Sequence, residues 1–352
     1  MLQNNLYTKH ELRFHPNGKF KILMVSDLHG CGMDRPCYDV EPKGDLEALV
    51  EASHPDLVLF AGDNTGGRYG VATEDELKTY LDWITEILEK NHILWAHVYG
   101  NHDNEDGNVT CAPGVPLDIQ QQIYESYEHC ISKRGPRDIH GVGNYVLPIK
   151  SSVGDTIAFN IWGLDSHQEI TQFEKEYGLE GNNRTCLDKN IGGNTGFDTV
   201  RFDQVVWYWN SSKQLEAYNR APIPGLMYFH TPLHEHAMVL LNPERTGLRD
   251  VVGRPVTDGL SDIFCAPVNQ GLFSAVLQRG DVKAIYCGHT HVSFEGTYCG
   301  IRLGFDGGMS YSNSGTLEEC RGGRIFELDE NSPGELRSYM LRLMDIRKPQ
   351  TT

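Results

Sequence analysis

The sequence predicts an α/β fold in which parallel strands alternate with helices and antiparallel strands follow near the end of the chain. Short apolar runs rich in Val, Ile, Leu and aromatic residues recur along the 352 residues, and such runs are typical of strands buried on both faces. Helical patterns at 45–53 and 73–91 separate the first three runs, which indicates β-α-β-α-β connectivity. Runs at 301–305, 324–328 and 335–343 alternate with Gly-rich turns, which indicates antiparallel strands and suggests a second sheet.

The spacing of the first three runs supports this connectivity. The runs are 20–26, 55–62 and 92–100, and they end at Asp27, Asp63 and Asn101. Intervals of 36 and 38 residues between these ends are enough for a strand, a helix and two loops. The helix predicted at 73–91 opens with Thr73 and three acidic residues, a favourable N-cap followed by an acidic first turn.

The second half of the chain continues with strands and helices that are farther apart. Further helices are predicted at 117–132 and 198–219, and further buried strands at 225–229 and 282–288. No repeat or Pro/Ser linker divides the sequence, so we expect a single domain, 1–352. Long polar segments near 104–143 and 165–196 are predicted to be insertions that shape a substrate site, since long loops in compact domains are often functional.

Composition excludes several classes of protein. The 31 Lys and Arg residues against 48 Asp and Glu residues give a net charge of −17, which disfavours a nucleic-acid partner. No apolar run reaches 18 residues, so no membrane span is expected. The nine cysteines are scattered without a C-x-x-C pair, and their odd number favours a reducing compartment. The first residues contain no apolar signal region, so we expect a cytoplasmic protein.

Side chains that can ligate metal ions follow five of the apolar runs, at the point where each run ends. They are Asp27, His29, Asp63, Asn101, His102, His230, His289 and His291. Carboxylate, amide and imidazole groups suit borderline and hard divalent cations, and no cysteine belongs to the set. Each motif alone also fits an ordinary turn or a packed histidine. Five strand ends together favour a metal centre, because ligands bind beyond the carboxyl ends of parallel strands.

The number of candidate ligands indicates two metal ions. Asn101 and His102 are adjacent, and neighbouring residues rarely reach the same ion, so His102 does not fit as a ligand if Asn101 is one. The remaining seven residues are too many for one tetrahedral zinc ion. They suit two ions that share one carboxylate and leave room for water.

The order of these motifs resembles the signature of the calcineurin-like metallophosphoesterase superfamily. That signature runs D-x-H, G-D, G-N-H-D/E, H and G-H-x-H, and each part occurs between Asp27 and His291. Local similarity near the start, around His230 and before the last motif resembles the purple-acid-phosphatase-like branch. Purple enzymes carry a Tyr ligand shortly after the G-D aspartate, whereas Asn64, Thr65, Gly66 and Gly67 follow Asp63 here. We therefore expect the non-purple ligand set.

The resemblance implies a fold and a ligand arrangement. The fold is the metallo-dependent phosphatase fold, in which two mixed sheets pack as a sandwich flanked by helices in four layers. The implied cofactor is two divalent or mixed-valence ions, Mn, Fe or Zn. One would be held by Asp27, His29, Asp63 and His291, and the other by Asp63, Asn101, His230 and His289. Asp63 would bridge them, and a hydroxide between the ions would attack phosphorus.

The remaining site residues have roles toward the substrate. The resemblance implies that His102 protonates the leaving oxygen. Asp103 either orients that imidazole or caps its own turn. Arg35 and Arg68 each follow a ligand loop and are candidate contacts for a substrate phosphate. Asn64 is a further candidate, which positions either the phosphate or Asp63.

These observations favour metal-dependent hydrolysis of a small phosphorylated substrate. The positive charge of two metal ions would explain how so acidic a chain binds an anion. We favour a phosphomonoesterase. A phosphodiesterase acting on a cyclic nucleotide or another small diester is the alternative within the superfamily, and a non-catalytic metal-binding scaffold is the alternative from another class.

Overall fold

Two mixed β-sheets pack face to face in the computed structural model. It describes residues 9–30, 42–66, 70–105, 114–177, 197–253, 263–309 and 316–347. The strands are β1 Leu12–Arg13, β2 Lys19–Val25, β3 Leu57–Ala61, β4 Leu94–Val98, β5 Tyr145–Lys150, β6 Ile157–Gly163, β7 Gly225–Phe229, β8 Arg249–Val252, β9 Val282–Cys287, β10 Ser293–Tyr298, β11 Ile301–Asp306, β12 Gly322–Asp329 and β13 Leu336–Arg342.

Helices cover the outer faces of both sheets. They are α1 Pro42–Ser53, α2 Glu74–Ile84, α3 Glu86–Lys90, α4 Leu117–Ser126, α5 Ile170–Glu176, α6 Phe202–Asn219, α7 His234–Leu241, α8 Pro243–Thr246, α9 Leu272–Arg279 and α10 Leu343–Ile346. A short 3₁₀ turn spans Glu318–Cys320. Among the described residues, no helix combines the length and the apolar character that a membrane crossing requires.

The first sheet has five strands in the order β13-β12-β2-β3-β4. Strands β2, β3 and β4 run parallel, and helices connect them as the sequence predicts. The C-terminal strands do not form a sheet of their own. Strands β12 and β13 extend this first sheet in antiparallel pairing, while β11 belongs to the other sheet. Apolar alternation identifies a strand but not its partner, which is why the sequence leaves this pairing open.

The second sheet has eight strands in the order β1-β5-β6-β7-β9-β11-β10-β8. Strands β6, β7, β9 and β11 are parallel neighbours in its centre, and antiparallel pairs lie on both sides of them. Strands β7 and β9 carry the runs that end before His230 and His289, so these two histidines come from a different sheet than Asp27 and Asp63.

Alternation along the strands divides the core into layers. In β2, Ile22 and Met24 point toward the second sheet, whereas Leu23 and Val25 pack under the helices of the first sheet. The outer face of the second sheet packs against α6, α7 and α9 in a separate apolar cluster. The result is helix, sheet, sheet and helix, which confirms the four-layer fold that the resemblance implies.

Several predicted helices differ from the structure at their ends. The helix predicted at 73–91 is two helices, because the Thr85 hydroxyl donates to Leu81 O at 2.7 Å and the chain bends there. Thr73 is its N-cap as predicted, and its hydroxyl accepts from Glu76 N. The helix predicted at 198–219 begins only at Phe202, and the one predicted at 117–132 ends at Ser126.

Candidate metal centre

The predicted ligands meet at one edge of the sandwich, where the parallel strands of both sheets end. Asp27, Asp63 and Asn101 follow β2, β3 and β4 of the first sheet, and His230 and His289 follow β7 and β9 of the second. With His29 and His291, each two residues farther along its loop, these seven residues are called the rim cluster below. The two sheets therefore contribute to the same site.

One group within the rim cluster contains Asp27, His29 and His291. Its possible ligand atoms all lie within 4.8 Å of one another. The Nε2 atom of His291 lies 3.1 Å from Asp27 Oδ1 and 3.4 Å from His29 Nε2. Side chains brought this close around an acid could hold one metal ion.

A second group contains Asp63, His230 and His289, again with all possible ligand atoms within 4.8 Å. The Nε2 atom of His230 lies 3.0 Å from Asp63 Oδ2. Asn101 is 5% exposed, and its Oδ1 has no hydrogen-bond partner in the described part of the chain. Asp63, His230 and His289 belong to the second ligand set that the resemblance implies, and the role of Asn101 in that set stays a prediction.

The two groups are neighbours. Asp63 Oδ2 lies 3.8 Å from His29 Nε2, which belongs to the first group. Asp27 Oδ1 lies 3.9 Å from His230 Nε2, which belongs to the second. Asp63 therefore lies between histidines of both groups, where a bridging carboxylate would have to lie, and the bridge itself stays a prediction.

The polar atoms of the rim cluster fit a pair of cations better than they fit one another. Among the described residues, three of these buried atoms have no hydrogen-bond partner: His29 Nδ1, Asn101 Oδ1 and His289 Nε2. A buried polar atom without a partner is unfavourable, and such groups are rare in folded proteins. The carboxylates, imidazoles and amide are the donor set of Mn, Fe or Zn, so the residues fit the implied metals.

Contacts behind the ligands orient two of the imidazoles. His230 Nδ1 donates to Ala61 O at 2.9 Å, which leaves Nε2 as the acceptor that a metal needs. His291 Nδ1 is hydrogen-bonded to Thr316 Oγ1 at 3.0 Å. Ser26 Oγ donates to Asp27 Oδ2 and lies 2.7 Å from Asp306 Oδ1. Ser26, Thr316 and Asp306 have no motif signal in the sequence, because their contacts arise between distant parts of the chain.

The backbone of the rim cluster is unusual. Five of its seven residues have positive φ angles between 48° and 73°: Asp27, His29, Asp63, His289 and His291. Non-glycine residues adopt this left-handed conformation rarely, and such strain concentrates at functional sites. Gly100 and Gly288 allow the loops to approach closely. A Cβ on residue 100 would collide with Asp63, and one on residue 288 would lie 2.7 Å from Ser26 Cβ.

The electrostatics favour ionised acids and two neutral imidazoles at neutral pH. Burial raises the pKa of Asp27, but the charges of His291 and His230 outweigh it and lower the pKa to about 2. Burial lowers the pKa of His29 to about 4 and that of His289 to about 3. Metal ligands must be in these deprotonated forms.

His230 behaves differently because Asp63 is so close. Burial lowers its pKa, but the Asp63 carboxylate outweighs the burial and raises the pKa to about 10. The protonated His230 ring therefore carries a positive charge next to the Asp63 carboxylate. Metal binding to this group would therefore release a proton.

His102 lies beside the rim cluster with its side chain 33% exposed, and its ring centroid is 5.4 Å from that of His29. Its backbone N–H donates to Asp63 Oδ1 at 2.9 Å. Glu105 Oε2 contacts His102 Nδ1 at 2.7 Å. Burial lowers the pKa of His102, but Asp63 and Glu105 outweigh it and raise the pKa to about 9.

Asp103 does not make the contact with His102 that was one of its two predicted roles. Its carboxylate accepts from the backbone N–H groups of Gly100 and Thr65, at 2.7 and 2.8 Å, and is fully buried. It therefore fits the other prediction, a carboxylate that fixes its own turn. Glu105 follows His102 by three residues and was missed, since a Glu at that spacing carries no distinctive signal.

The candidate substrate contacts have different positions. Asn64 is 3% exposed, and its Nδ2 donates to Val98 O at 3.0 Å, so this amide holds two loops together. Arg35 and Arg68 lie outside the described residues.

Comparison with known proteins identifies the family of the chain. The calcineurin-like phosphoesterase family model matches residues 20–293, well over half of the chain. The chain therefore belongs to the calcineurin-like phosphoesterase family. The dimetal phosphatase of Danio rerio has a similar fold, with a TM-score of 0.52, 14% identity, and coverage of 91% of this chain and 98% of that one.

Curated relatives place the chain near the purple-acid-phosphatase-like branch, as the motifs indicate. It is 30% identical to "Probable inactive purple acid phosphatase 14" of Arabidopsis thaliana over 91% of this chain and 78% of that protein. It is 28% identical to "Probable inactive purple acid phosphatase 29" of the same plant, over 92% of this chain and 80% of that protein. It is 26% identical to "Phosphatase DCR2" of Saccharomyces cerevisiae, over 80% of this chain and 45% of that protein.

Proposed function

We propose that this chain is a hydrolase of small phosphate esters that uses two metal ions held by the rim cluster. The observation that carries the proposal is the meeting of six predicted ligands in two adjacent groups of three, with unpartnered buried atoms among them. When bound, two such cations would supply the Lewis acidity that activates water and neutralises charge on the phosphoryl oxygens. They also supply the positive charge that the acidic chain lacks.

His102 is the proposed general acid. With a pKa of about 9 it carries a proton at neutral pH, which a leaving alkoxide needs. Glu105 accepts from Nδ1–H of the ring, and this hydrogen bond fixes its orientation and leaves the proton on Nε2 for transfer. The exposed fraction of the His102 side chain, larger than that of the ligands, gives a substrate access to it.

We favour a phosphomonoesterase, because relatives of this branch carry the name phosphatase. A phosphodiesterase is the alternative, and the same metal ligands would serve it. The test is hydrolysis of p-nitrophenyl phosphate and bis-p-nitrophenyl phosphate by the purified chain with added Mn²⁺. A monoesterase hydrolyses the first faster, and the reverse order would favour the diesterase.

His102→Ala tests the acid. We expect the variant to keep its metal and to lose about 10²- to 10⁴-fold in turnover, most for esters with poor leaving groups. His15→Ala is the matched control, because His15 is 56% exposed and pairs with Asp56, which is not part of the rim cluster. Loss of metal from His102→Ala would show that the residue is a ligand.

Glu105→Gln tests the positioning of that acid. The amide cannot accept the same charge-assisted hydrogen bond, so we expect turnover to fall by roughly 10- to 100-fold. The loss should grow with the pKa of the leaving group and should disappear in the His102→Ala background. An equal loss for all leaving groups would mean that Glu105 only supports its loop.

The competing proposal from another class is a metal-binding scaffold without turnover. The word "inactive" in the names of two relatives favours it. It predicts that the purified chain binds two metal ions and hydrolyses neither nitrophenyl ester. The presence of His102 beside a full ligand set supports the enzyme instead.

A further inference from the structure

Two phenylalanine rings lie against His289 of the rim cluster, and we propose that they bind a flat aromatic group of the substrate. The inference rests on the proposed function and names the class of ester: a phosphate ester whose alcohol carries a nucleobase or an aryl ring. Phe197 and Phe264 are called the aromatic pair below.

The geometry places both rings beside a metal ligand. The centroid of the Phe197 ring lies 4.3 Å from that of His289, with the planes at 84°. The centroid of the Phe264 ring lies 6.3 Å away, with the planes at 87°. Both rings contact His289 edge to face, so part of their faces stays free to stack on another ring.

The aromatic pair is not part of the protein core. Phe197 is half-buried and Phe264 is 37% exposed, and neither belongs to the three apolar clusters that the described residues form. Phe264 also has a φ angle of 52°, which is rare for a bulky side chain. A strained backbone that presents an exposed apolar ring beside a metal ligand is more typical of a binding site than of packing.

Hydrogen bonds hold the backbone next to each ring. The Thr290 hydroxyl, between the ligands His289 and His291, donates to Ile263 O at 3.0 Å and so ties the segment of Phe264 to the metal loop. The residue after Phe197 donates its backbone N–H to Gln168 O at 2.9 Å. The segment of Phe264 is therefore tied to the loop that carries His289 and His291, and the segment of Phe197 is tied to the loop after β6.

The position of the acid agrees with this class of substrate. His102 lies against His29, in the first ligand group, whereas the aromatic pair lies against His289, in the second. A leaving oxygen beside His102 and a ring on the aromatic pair would lie toward different ligand groups, so the substrate needs a spacer between them. A ribose or a methylene group between phosphate and ring provides it, and stacking tolerates different rings because each has a π face.

The test compares esters with the same kind of leaving oxygen that differ in the ring. AMP and ribose 5-phosphate both release a primary alcohol, and only AMP has a base. Benzyl phosphate and propyl phosphate make the same comparison for an aryl ring. We expect kcat/KM to be about tenfold higher for the member with the ring, since stacking of one base is worth about that much or more. If the ratio of kcat/KM is larger for AMP over ribose 5-phosphate, the aromatic pair prefers a nucleobase. If it is larger for benzyl over propyl phosphate, the aromatic pair prefers an aryl ring.

Phe264→Ala and Phe197→Ala should each lower that ratio several-fold, and Phe264→Trp should restore it. Phe202→Ala, which removes a ring 63% exposed on α6, is the control that should leave the ratio as it is. Equal kcat/KM for both members, or a ratio that neither alanine variant changes, would overturn the inference while the proposed function stands. Absence of turnover on every ester would overturn the proposed function itself.

Discussion

Two clusters in this molecule contain buried acids, and the two clusters differ in the cation that compensates those acids. In the first, Arg324 is fully buried and contacts Glu295 Oε2 at 3.2 Å, Asp250 Oδ2 at 3.1 Å and Ser293 Oγ at 2.7 Å. Its Nε also donates to Phe305 O. The buried acid Glu295 thus has a cation from the chain itself, and none of the polar atoms of Arg324 and Glu295 is without a partner among the described residues.

The rim cluster has buried acids as well, but it has only imidazoles around them. Asp27 and Asp63 are almost fully buried, and the histidine and amide atoms beside them include three without partners in the described chain. A buried acid that is paired with an arginine of the same chain, as Glu295 is with Arg324, requires no cation from solution. Among the described residues, the acids of the rim cluster have no arginine or lysine of their own; they are balanced only by protons on His230 and His291, which a metal ion can replace, and this is the difference between a structural and a functional cluster.

The largest expected effect comes from removing a charge from the rim cluster. Asp63→Asn keeps the size of the side chain and the acceptor for His102 N–H, but an amide binds metal far more weakly. Because Asp63 lies close to histidines of both groups, we expect both ions to be lost together and turnover to fall by about 10³-fold or more. Elemental analysis and hydrolysis of p-nitrophenyl phosphate measure this. Loss of one ion with the other retained would reject the bridging role.

The complementary change breaks the Arg324 cluster. Arg324→Met leaves Glu295 buried without its main cation, and removing one partner of a buried ion pair lowers the free energy of unfolding by about 3–5 kcal/mol. Metal content per folded chain should not change. Urea denaturation and elemental analysis of the same sample test both statements.

Lys19→Met is the matched control, because the Lys19–Asp329 pair is largely exposed and should contribute less than about 1 kcal/mol. If Arg324→Met left stability intact but removed the metal, the division into a structural and a functional cluster would be wrong.

A smaller effect is expected at Asp306, which lies between the two clusters. Burial and the charge of Asp27 raise its pKa to about 7, although Ser26 and Arg324 oppose this. Between pH 5 and 7 the folded chain keeps the proton on Asp306 and the unfolded chain has lost it. The free energy of unfolding therefore falls as pH rises through this range, by roughly 2 kcal/mol from this group.

Asp306→Asn should remove that part of the decline, since the amide does not titrate and can still accept from Ser26. The measurement is urea denaturation of metal-free protein at several pH values between 5 and 7. Parallel pH profiles for the variant and the natural chain would mean that Asp306 is ionised throughout.

The sequence alone was sufficient to predict the candidate metal ligands, because these residues occur in motifs. Each rim residue ends or follows a buried strand, and strand ends meet at one edge by the geometry of parallel sheets, so the convergence could be predicted before any coordinates. The order of the strands in each sheet could not be predicted from the sequence. Nothing in the apolar alternation of β12 indicates that it pairs with β2, more than 290 residues earlier in the chain.

Residues that act through another residue were the ones missed. Glu105, Thr316 and Asp306 contact His102, His291 and Ser26, and only the folded chain brings the last two pairs together. The same holds for the aromatic pair, because Phe197 and Phe264 are separated by 67 residues and meet His289 from two different loops. A sequence pattern within one segment cannot reveal contacts with a segment far away in the chain.

The central claim is that the rim cluster binds two metal ions side by side. Anomalous diffraction from crystals grown with Mn²⁺ tests it most directly. The account predicts two peaks, one among Asp27, His29 and His291 and one among Asp63, His230 and His289, with no comparable peak at the Arg324 cluster. A single peak at the rim cluster, or none there, would contradict it.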